Sequence, residues 1–509
     1  MVVKILILVI FFAVMILVGV NAKKKVNGVD DFVLGGRKIG PWMAAFSFGT
    51  SYFSAVIFVG YAGQFGWKFG IASTWIGLGN VLIGSMLAWV ILGRRTRVMT
   101  NHLSSSTMPD FFGKRYDSKA IKIAASAIAF VFLIPYTASV YNGLSKLFAL
   151  AFDIPYAAVV IGMAVLTGVY VILGGYMASS MNDFIQGMIM LIGIIAVIAS
   201  VLAGQGGFTE AIKSLANVQS AETVEQPGVF ASFFGPDPFG LLSVVVLTSL
   251  GTWGLPQMVQ KFYAIKDEKA IKTGTIVSTF FAIVIGGGSY FMGGFGRLFG
   301  AAEDFTVDGK MAYDGIVPAM LQNSLSDILI GVVVVLVLSA SMSTLSALVL
   351  TSSSTLTLDL LKGNIIKDMN QKKQLLIMRI MIVFFVAVSV IIALDPPTAI
   401  AQLMGISWGA LAGSFLAPFL YGLYWKKVTR PAVWVSFLSG VGITVASLFI
   451  DSLSPIVAGA AAMIAGLIIV PIVSAVTKNS QKDVNRVDNI FECYNVNITV
   501  KKSRQLSSD

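Results

Sequence analysis

The sequence predicts an all-α polytopic membrane protein with about thirteen transmembrane helices. Of its 509 residues, 56% are hydrophobic and 12% are charged, and the mean hydropathy is +0.84. Soluble domains carry about twice that share of charged residues. Apolar blocks of about 20 residues, the length that crosses a hydrocarbon core of about 30 Å, fill most of the chain. These observations exclude a water-soluble globular domain and indicate that the lipid bilayer is the solvent of this chain.

Each predicted span is an apolar block that ends at polar or charged residues. The first block lacks a small-residue cleavage site and is followed by the basic run NAKKK, residues 21–25. It is therefore predicted to be a retained helix rather than a cleaved signal peptide. We place the spans at 2–20, 40–65, 71–93, 120–148, 155–174, 180–204, 239–263, 271–296, 326–358, 375–394, 398–424, 431–450 and 455–476.

The positive charges predict the orientation of the chain. Lys and Arg near helix ends accumulate on the cytoplasmic side, and an outside N-terminus places most of the 36 basic residues there. We therefore expect a multi-pass protein of the plasma (inner) membrane with its N-terminus outside and a polar, mobile, cytoplasmic tail at 477–509. This asymmetry accounts for the net charge of +11, so no nucleic-acid partner is expected.

Residues for catalysis or redox chemistry are scarce. The one histidine, His102, lies in a polar segment and is predicted to be solvated, and the one cysteine, Cys493, allows no intramolecular disulfide. The glycine-rich stretch GGGSYFMGGFG, residues 286–296, lacks the preceding strand and following Lys-Ser/Thr of a nucleotide loop. Glycine at a helix crossing explains it better. No enzyme active site is predicted.

A hydroxyl-rich segment stands out within one apolar span. Eleven of the nineteen residues from 339 to 357 are Ser or Thr, and most are explained by bonds to their own helix or to neighbouring helices. Ala340, Ser343 and Thr344, however, share one helix face, with Ser346 on its flank. Two hydroxyls and a freed carbonyl would supply half of a coordination shell for a small hard cation. The other half must come from another interrupted helix.

Two further spans carry helix-breaking sequences. The stretch FSFGTSYFSAVIFVG, residues 46–60, has a small polar core, and SLGTWGLPQ, residues 249–257, contains Pro256. Non-helical backbone at membrane depth is tolerated only where it is buried or lines a cavity. Discontinuous helices are the recurring device of secondary transporters, in which they bind the coupling ion and the substrate. The two stretches lie in spans two and seven, which is the spacing of an inverted five-helix repeat.

Five motifs in order resemble the sodium/solute symporter family, which includes sodium/proline, sodium/pantothenate, sodium/monocarboxylate and sodium/sugar carriers. The likeness extends from about residue 5 to residue 475. The motifs are DDFVLGGRKIGPW (30–42), TSYFSA (50–55), MPDFFGKRYD (108–117), GGYMASSMNDFIQG (174–187) and SMSTLSALVLTSSSTLTLDL (341–360).

The resemblance implies a thirteen-helix carrier with an outside N-terminus and a leucine-transporter-type core of two inverted five-helix repeats. The expected units are a first helix at 1–22, a first repeat at 39–204, an external loop at 205–238, a second repeat at 239–425, two further helices at 430–476 and the tail at 477–509.

The resemblance also implies a binding site for the coupling ion, Na⁺. It maps this site onto the main-chain oxygens of Thr50, Phe53 and Ala340 and the hydroxyls of Ser343 and Thr344. Five uncharged oxygens can replace the hydration shell of sodium without burying an unpaired carboxylate. We therefore expect weak and reversible sodium binding at this position.

Asp183 is a second candidate position for an ion. Acidic groups within membrane helices are rare and usually functional, and the resemblance implies an additional sodium site or an ion exit route at Asp183 and Ser346. Ala347 stands where two-sodium relatives have a second hydroxyl, which argues against a complete second site. A helix-start cap near the interface is the alternative interpretation of Asp183.

The solute is less well defined than the ion. Sodium/proline carriers have Asp where this chain has Tyr52, and the apolar Val56 and Ile57 would leave the hydroxyls of a sugar unpaired. The motifs look closest to those of the pantothenate and monocarboxylate carriers, and a small carboxylate suits a half-helix N-terminus. For the aromatic residues, packing is an alternative role. The candidate substrate-binding residues are Ser51, Ser54, Ile57, Tyr136, Trp253 and Gln257.

The sequence thus predicts sodium-coupled uptake of a small organic solute by alternating access. The solute is expected to be a carboxylate such as a monocarboxylate, pantothenate or an amino acid such as proline. A proton-coupled symporter of the same fold is one alternative. A channel would need a continuous polar stripe, and a transporter-like sensor would need a folded signalling module beyond the short tail. The predicted partners are the solute, sodium and the lipid bilayer, and the sequence assigns no oligomeric state.

Overall fold

A computed structural model describes residues 2–24, 26–152, 154–307, 309–395, 399–478 and 481–495. Eight described helices are long and apolar enough to cross a membrane, or nine if one bent pair is counted as a span. Two shorter apolar helices, Leu8–Lys23 and Arg430–Ala446, cover two more of the predicted spans. The number of thirteen crossings stays a prediction, and the predicted span start at residue 398 lies outside the described residues.

Helices dominate the described chain. The α-helices are Val2–Lys23, Val29–Leu34, Pro41–Tyr52, Ala62–Phe69, Thr74–Gly79, Arg94–His102, Met108–Tyr116, Lys119–Phe152, Tyr156–Gly204, Phe208–Ala216, Ala221–Glu225, Pro238–Gly254, Pro256–Ala264, Glu268–Ala282, Gly288–Gly293, Ile316–Ser324, Asp327–Thr355, Gln371–Leu394, Ile400–Tyr424, Arg430–Ala446, Pro455–Val476 and Gln481–Phe491.

Shorter elements connect these helices. The π-helical turns, in which each N–H bonds five residues back, are Val56–Tyr61, Asn80–Leu87, Trp89–Gly93, Ile283–Gly287 and Leu356–Leu361. The 3₁₀ turns are Gly35–Arg37, Gly70–Ser73, Val229–Ala231, Gly296–Leu298, Glu303–Phe305, Tyr313–Gly315 and Glu492–Tyr494. One antiparallel hairpin is formed by Thr306–Val307 and Lys310–Met311.

The first broken helix consists of Pro41–Tyr52 followed, after a break, by Val56–Tyr61 and Ala62–Phe69. Proline at its first position suits a helix start, where the missing N–H needs no partner. At Phe53 the backbone leaves the helical region, with φ −96° and ψ 78°. The Ser54 hydroxyl then accepts a hydrogen bond from the N–H of Val56 at 3.2 Å. The break predicted from the polar core of residues 46–60 is confirmed.

The second broken helix consists of Pro238–Gly254 and Pro256–Ala264, which are bent by 46° relative to each other. Leu255 between them is extended, with φ −81° and ψ 122°. Pro256 cannot donate to the carbonyl of the preceding turn and is the first residue of the new helix. The interruption predicted at residues 249–257 is therefore also confirmed.

The helix Asp327–Thr355, hereafter the hydroxyl helix, lies at the centre of the protein. Its most apolar stretch is 94% buried, whereas that of Gln371–Leu394 is 22% buried. The hydroxyl helix packs against Tyr156–Gly204, Lys119–Phe152 and the first broken helix. The segment that is richest in hydroxyls is therefore also among the best shielded from lipid.

The long helix Tyr156–Gly204 combines two predicted spans, 155–174 and 180–204. Gly175 separates them, because its φ of +52° and ψ of −140° are not helical. A Cβ atom at Gly175 would lie 2.5 Å from the carbonyl oxygen of Phe32. Glycine is required here both by the left-handed φ and by the close approach of the neighbouring backbone.

The glycine-rich segment 286–296 is a helix crossing, as predicted, and it is helical for most of its length. A Cβ atom on Gly66 would lie 1.9 Å from the carbonyl oxygen of Gly293, and a Cβ atom on Gly293 would lie 2.2 Å from that of Ala62. The first broken helix and the helix Gly288–Gly293 can approach this closely only because both carry glycine at the contact.

The described part of the C-terminal tail is ordered, so the expectation of a mobile tail is wrong for residues 481–495. The helix Gln481–Phe491 places Val487, Ile490 and Phe491 in buried positions. Its Arg486 guanidinium donates to the carbonyl oxygens of Lys114 and Arg115 at 3.0 and 3.1 Å. The tail was misjudged because its polar composition concealed one apolar helix face. Residues 479–480 and 496–509 of the predicted tail lie outside the described residues.

Candidate functional site

Two hydroxyls of the hydroxyl helix meet the C-terminal end of the first half of the first broken helix. The Ser343 hydroxyl donates to the Thr50 carbonyl oxygen at 2.8 Å. The Thr344 hydroxyl lies 3.3 Å from the same oxygen and 3.4 Å from the carbonyl oxygen of Ser51. All four residues are fully buried. Segments far apart in the sequence thus form one polar contact inside the protein.

The same two hydroxyls also reach the backbone of their own helix. The Ala340 carbonyl oxygen lies 3.3 Å from the Ser343 hydroxyl and 3.1 Å from the Thr344 hydroxyl. The structure therefore brings together Thr50, Ala340, Ser343 and Thr344, four of the five predicted sodium ligands. Phe53, the fifth, occupies the break itself and lines a small cavity together with Ala340.

The carbonyls at this contact are available because a helix ends there. The last carbonyls of a helix have no N–H partner within it. The helix ends at Tyr52, its C-cap Phe53 donates to Gly49, and Ser54, whose N–H an uninterrupted helix would direct to Thr50, lies beyond the helix end. The C-terminal end of a helix also carries partial negative charge. Uncharged oxygens in this arrangement suit a small monovalent cation. The described residues contain no group of three or more His, Cys, Asp or Glu that could hold a metal ion.

A narrow cavity adjoins this contact. It is lined by Phe53, Ser54, Ile57 and Ala340, by Ser289 and by five further apolar side chains. Its volume of about 10 Å³ is at the lower limit for one water molecule. Ser54 and Ile57, both predicted to bind substrate, therefore lie beside the predicted ion ligands. The conformation is closed around this point.

Two of the predicted substrate residues keep polar atoms without a protein partner. Within the described chain, the Ser51 hydroxyl and both amide atoms of Gln257 are buried and unpaired. A buried unpaired polar group costs about 1–3 kcal/mol, so these atoms are suited to a polar ligand. Gln257 also lies in the first turn of the second half of the second broken helix, where the backbone favours anions.

The predicted aromatic substrate residues have structural contacts. The Trp253 indole N–H donates to the Ile83 carbonyl oxygen at 3.0 Å. Tyr136 is buried with its ring edge-on to Trp408, at a centroid distance of 5.8 Å. These contacts support the alternative that Trp253 and Tyr136 stabilise the packing of the helices.

Tyr52 links the two broken helices, a role that the sequence did not reveal. Its hydroxyl donates to the Thr248 carbonyl oxygen at 2.7 Å, and its ring stacks on Trp408 at 6.2 Å. The sequence signals were its position next to the predicted break and its departure from the sodium/proline carriers, and neither indicated a contact with the second broken helix. The side chain fills the space between the two broken helices.

Asp183 lies inside a helix, about two turns beyond the Gly175 kink, and is fully buried. The Ser47 hydroxyl donates to its carboxylate at 2.5 Å, and the Lys261 ammonium lies 3.7 Å from the same carboxylate oxygen. The alternative of a helix-start cap at the interface is therefore wrong. Ser346 is engaged elsewhere, by the Ser179 hydroxyl at 2.7 Å and the Ser343 carbonyl oxygen at 2.8 Å.

Lys261 was missed as a site residue. The sequence assigns it to the cytoplasmic end of the span 239–263, but its side chain is only 2% exposed. A solitary lysine within the last residues of an apolar span was the signal that could have identified it. Lys261 lies in the second broken helix and Ser47 in the first, so the cluster around Asp183 joins both.

This arrangement defines a class of protein. Two interrupted membrane helices, each with free backbone groups facing a buried polar site, are the hallmark of secondary transporters. The model of the sodium:solute symporter family matches residues 32–440. The chain belongs to this family, whose members couple solute uptake to sodium, and it is a multi-pass membrane protein.

Characterised relatives match over most of the chain. The osmoregulated proline transporter OpuE of Bacillus subtilis is 28% identical over 504 residues, covering 95% of this chain and 96% of OpuE. The sodium/proline symporter of Haemophilus influenzae is 29% identical, covering 84% of each chain. The sodium/proline symporter of Salmonella typhimurium is 28% identical with the same coverage.

Solved structures confirm the fold. A Na⁺-coupled sialic acid symporter in a substrate-bound outward-open state aligns with a TM-score of 0.77, with 16% identity, over 94% of this chain and 99% of that chain. Mhp1, a nucleobase-cation-symport-1 family transporter, aligns with a TM-score of 0.51, with 14% identity, over 89% of this chain and 97% of its own. The predicted all-α polytopic architecture with a leucine-transporter-type core is confirmed.

Proposed function

We propose that this protein carries a small carboxylate-bearing solute into the cell together with sodium, by alternating access between the two sides of the membrane. Sodium binds between the first broken helix and the hydroxyl helix, at the oxygens of Thr50, Phe53, Ala340, Ser343 and Thr344. The solute binds beside it, between the two broken helices. Closure around both and a rocking of the repeats 39–204 and 239–425 then open the site inward.

One observation carries this proposal. The hydroxyls of Ser343 and Thr344 converge on the Thr50 carbonyl oxygen, at 2.8 and 3.3 Å, where the first broken helix ends. These oxygens are buried and uncharged, and a hard cation prefers such ligands. A sodium ion at this contact would tie the first broken helix to the hydroxyl helix. Ion binding and the position of the first broken helix are thereby linked.

The proposed solute is chosen by the chemistry of the site. Ser51 and Gln257 offer buried, unpaired polar atoms, and the helix that begins at Pro256 attracts a carboxylate. Val56 and Ile57 are buried apolar residues and disfavour a sugar. Because several relatives are named proline transporters, proline is the first compound to test. Monocarboxylates and pantothenate follow.

The proposed orientation gives the transport its direction. With the N-terminus outside and the C-terminus in the cytoplasm of the cell, sodium enters down its gradient. An inside-negative potential adds about 2.3 kcal/mol per charge per 100 mV. The membrane potential acts on the sodium ion. Because ion and solute bind side by side and cross together, the same free energy drives solute uptake.

The test is a double substitution at the proposed sodium site. A thermal-shift screen with and without sodium, across carboxylates, amino acids, vitamins and sugars, first identifies a solute, since a ligand stabilises the folded state to which it binds. Uptake of that solute into proteoliposomes is then measured with and without a sodium gradient. We expect Ser343→Ala combined with Thr344→Ala to reduce sodium-stimulated uptake at least tenfold.

The matched control is Ser341→Ala on the same helix. The Ser341 hydroxyl donates to the Val337 carbonyl of its own helix at 2.7 Å, so its loss leaves the contact with Thr50 intact. Sodium-stimulated uptake should then stay within twofold of the unmodified protein. Unchanged sodium dependence in the double variant would contradict the site. Uptake driven by a pH gradient in the absence of sodium would favour the proton-coupled alternative.

A further inference from the structure

Three side chains from three different elements form a buried charged cluster near the contact of Ser343 and Thr344 with Thr50. The Lys261 ammonium donates to the Ser47 hydroxyl at 2.8 Å, and that hydroxyl donates to the Asp183 carboxylate at 2.5 Å. The ammonium and the carboxylate are 3.7 Å apart. Lys261 belongs to the second broken helix, Ser47 to the first, and Asp183 to the helix that follows the Gly175 kink.

The cluster lies close to the proposed sodium site. Ser47 precedes Thr50 by three residues on the same helix, which is nearly one turn or about 4.5 Å along the axis. Both residues are fully buried. A cation held at Asp183 would therefore be a near neighbour of a sodium ion held at Thr50.

The surroundings of Asp183 have the chemistry of a cation site. One carboxylate oxygen, Oδ1, has no hydrogen-bond partner in the described chain, and the same holds for the hydroxyls of Ser180 and Tyr176. A carboxylate accompanied by hydroxyl oxygens is a common ligand set for a hard cation. Here the cation in place is the Lys261 ammonium, which also lies 5.3 Å from the centre of the Tyr176 ring.

Charge balance decides how many cations this cluster can hold. Asp183 is fully buried and Lys261 is 2% exposed, so water screens neither charge effectively. Among the described residues, Asp183 is the one carboxylate within 4.0 Å of Lys261. One negative charge balances one positive charge. A sodium ion at Asp183 beside the intact pair would share this one carboxylate with the ammonium and be repelled by it at short range, which is unfavourable at a buried site.

We propose that the Lys261 ammonium is a built-in cation that occupies the position of a second sodium ion at Asp183, so that this carrier binds one sodium ion per molecule. The inference rests on the proposed function, because it presupposes a sodium site at Thr50. It assigns Lys261 to the control of ion stoichiometry. It also explains why Ser346 is free to pair with Ser179 instead of completing an ion site.

The test counts sodium ions on the purified protein. Binding of ²²Na⁺ is measured at equilibrium in detergent, without any solute, and divided by the amount of monodisperse protein. The unmodified protein should saturate at one ion per molecule. Lys261→Met leaves the Asp183 carboxylate without its ammonium partner, and its count should rise to two. Lys261→Met combined with Asp183→Asn removes both charges and should return the count to one.

The matched control is Lys266→Met in the same segment. Lys266 is 49% exposed and pairs with Asp267 at the surface, so its removal should leave the count at one. Should Lys261→Met alone prove too unstable to purify, Lys261→Gln replaces it, because the amide can still donate to Ser47.

Each outcome has a separate meaning. Two ions on the unmodified protein would contradict the hypothesis that Lys261 replaces a second sodium ion. One ion on a folded Lys261 variant with an intact Asp183 would also contradict it. No saturable sodium binding to the unmodified protein would instead overturn the proposed function. One ion on the unmodified protein and two on the Lys261 variant would support both.

Discussion

Tyr52 illustrates how one side chain can connect the two broken helices, between which we propose that the solute binds. Its hydroxyl reaches the Thr248 backbone across the gap between the broken helices, and its ring lies against Phe53 and Trp408. A fully buried tyrosine in this position restricts the volume that is left for a solute. We therefore expect Tyr52 to influence which solute the protein accepts.

Replacing Tyr52 with Phe tests this connection. The change removes one buried hydrogen bond and leaves the Thr248 carbonyl without that donor, so the free energy of unfolding should fall by about 1 kcal/mol. Because the bond joins the two broken helices, the KM for solute uptake should also change by several fold. Thermal unfolding in detergent and uptake into proteoliposomes measure the two effects.

Tyr421→Phe is the control for that experiment. The Tyr421 hydroxyl donates to the Leu467 carbonyl at 2.9 Å and joins the helices Ile400–Tyr424 and Pro455–Val476, neither of which is a broken helix. It should lower stability by a similar amount while the KM stays unchanged. Equal effects of both variants on uptake would show that Tyr52 acts only through general stability.

Single residues were predictable from the sequence where the pattern was local. Ala340, Ser343 and Thr344 share a helix face by spacing alone, and the structure places their oxygens together. The partnership of Lys261 with Asp183 was not predictable in this way. The two residues lie in different helices, Tyr156–Gly204 and Pro256–Ala264. Hydrophobic periodicity within each helix does not indicate that the two helices pack against each other.

At the level of elements, close packing between helices depends on glycine. The pair Gly66 and Gly293 allows the first broken helix to touch the backbone of a neighbouring helix. This contact lies in Ala62–Phe69, which follows the break in the first broken helix. It fixes that half against its neighbour, while the half before the break, Pro41–Tyr52, contacts the hydroxyl helix.

Gly66→Ala should therefore be strongly destabilising. The new methyl group would lie 1.9 Å from the carbonyl oxygen of Gly293. Because this oxygen belongs to the backbone, the clash can be relieved only if the two helices move apart. Overpacking of this kind costs about 1–3 kcal/mol, which should lower the apparent Tm in detergent by several degrees. Gly162→Ala is the control: no atom outside its own stretch of helix lies within 4 Å of the added methyl, and alanine is favoured over glycine in a helix. If the Gly66 variant were as stable as the Gly162 variant, the close helix crossing at Gly66 and Gly293 would be contradicted.

The breaks were predictable as elements, but their surroundings were not. Small polar residues and Pro256 marked the two interruptions, because each weakens or removes a helical hydrogen bond. The Gly175 kink was only partly anticipated, as a gap between two spans. The wide π-helical turns left no recognisable pattern, since one additional residue per turn changes the periodicity too little to detect.

For the molecule as a whole, the C-terminal helix acts as a brace on the predicted cytoplasmic side. Arg430 pairs with Asp483 at 2.9 Å, and Arg486 holds the backbone of the segment that precedes Lys119–Phe152. The brace therefore connects the helices that follow the core to the short helix Met108–Tyr116, within the predicted first repeat. Such a connection limits how far these parts can move apart.

Cys493 provides a reporter of this brace. The thiol is buried, and burial raises its pKa to about 11. Only the thiolate reacts rapidly with maleimides, so labelling of the intact protein at pH 7.5 should be slow. Arg486→Ala removes the bonds to the backbone of Lys114 and Arg115 and should raise the labelling rate at least tenfold.

The control for the labelling experiment is Lys478→Ala, at an exposed position just before the C-terminal helix. Its labelling rate should match that of the unmodified protein. Rapid labelling of the unmodified protein, equal to that measured after denaturation, would contradict the docked position of the tail.

The global properties of the chain were the easiest to predict. Hydropathy, the distribution of Lys and Arg and the ordered motifs led to the fold class and the family, both of which are confirmed. The docked tail escaped prediction because overall composition hides the amphipathic pattern of one short helix. The position of the tail helix and the pairing of Lys261 with Asp183 both depend on contacts between residues far apart in the sequence. A local sequence pattern does not specify such contacts.

The π-helical turns suggest how such a tightly packed protein can still move. An i→i+5 turn holds one surplus residue, and that surplus can migrate along a helix by exchanging one backbone bond for the next. Each step rotates the intervening residues about the helix axis by roughly 100°, as the α-helical repeat requires. Val56–Tyr61 directly follows the break in the first broken helix. Such a step would turn a side chain there toward or away from the proposed solute site without unfolding the helix that carries it.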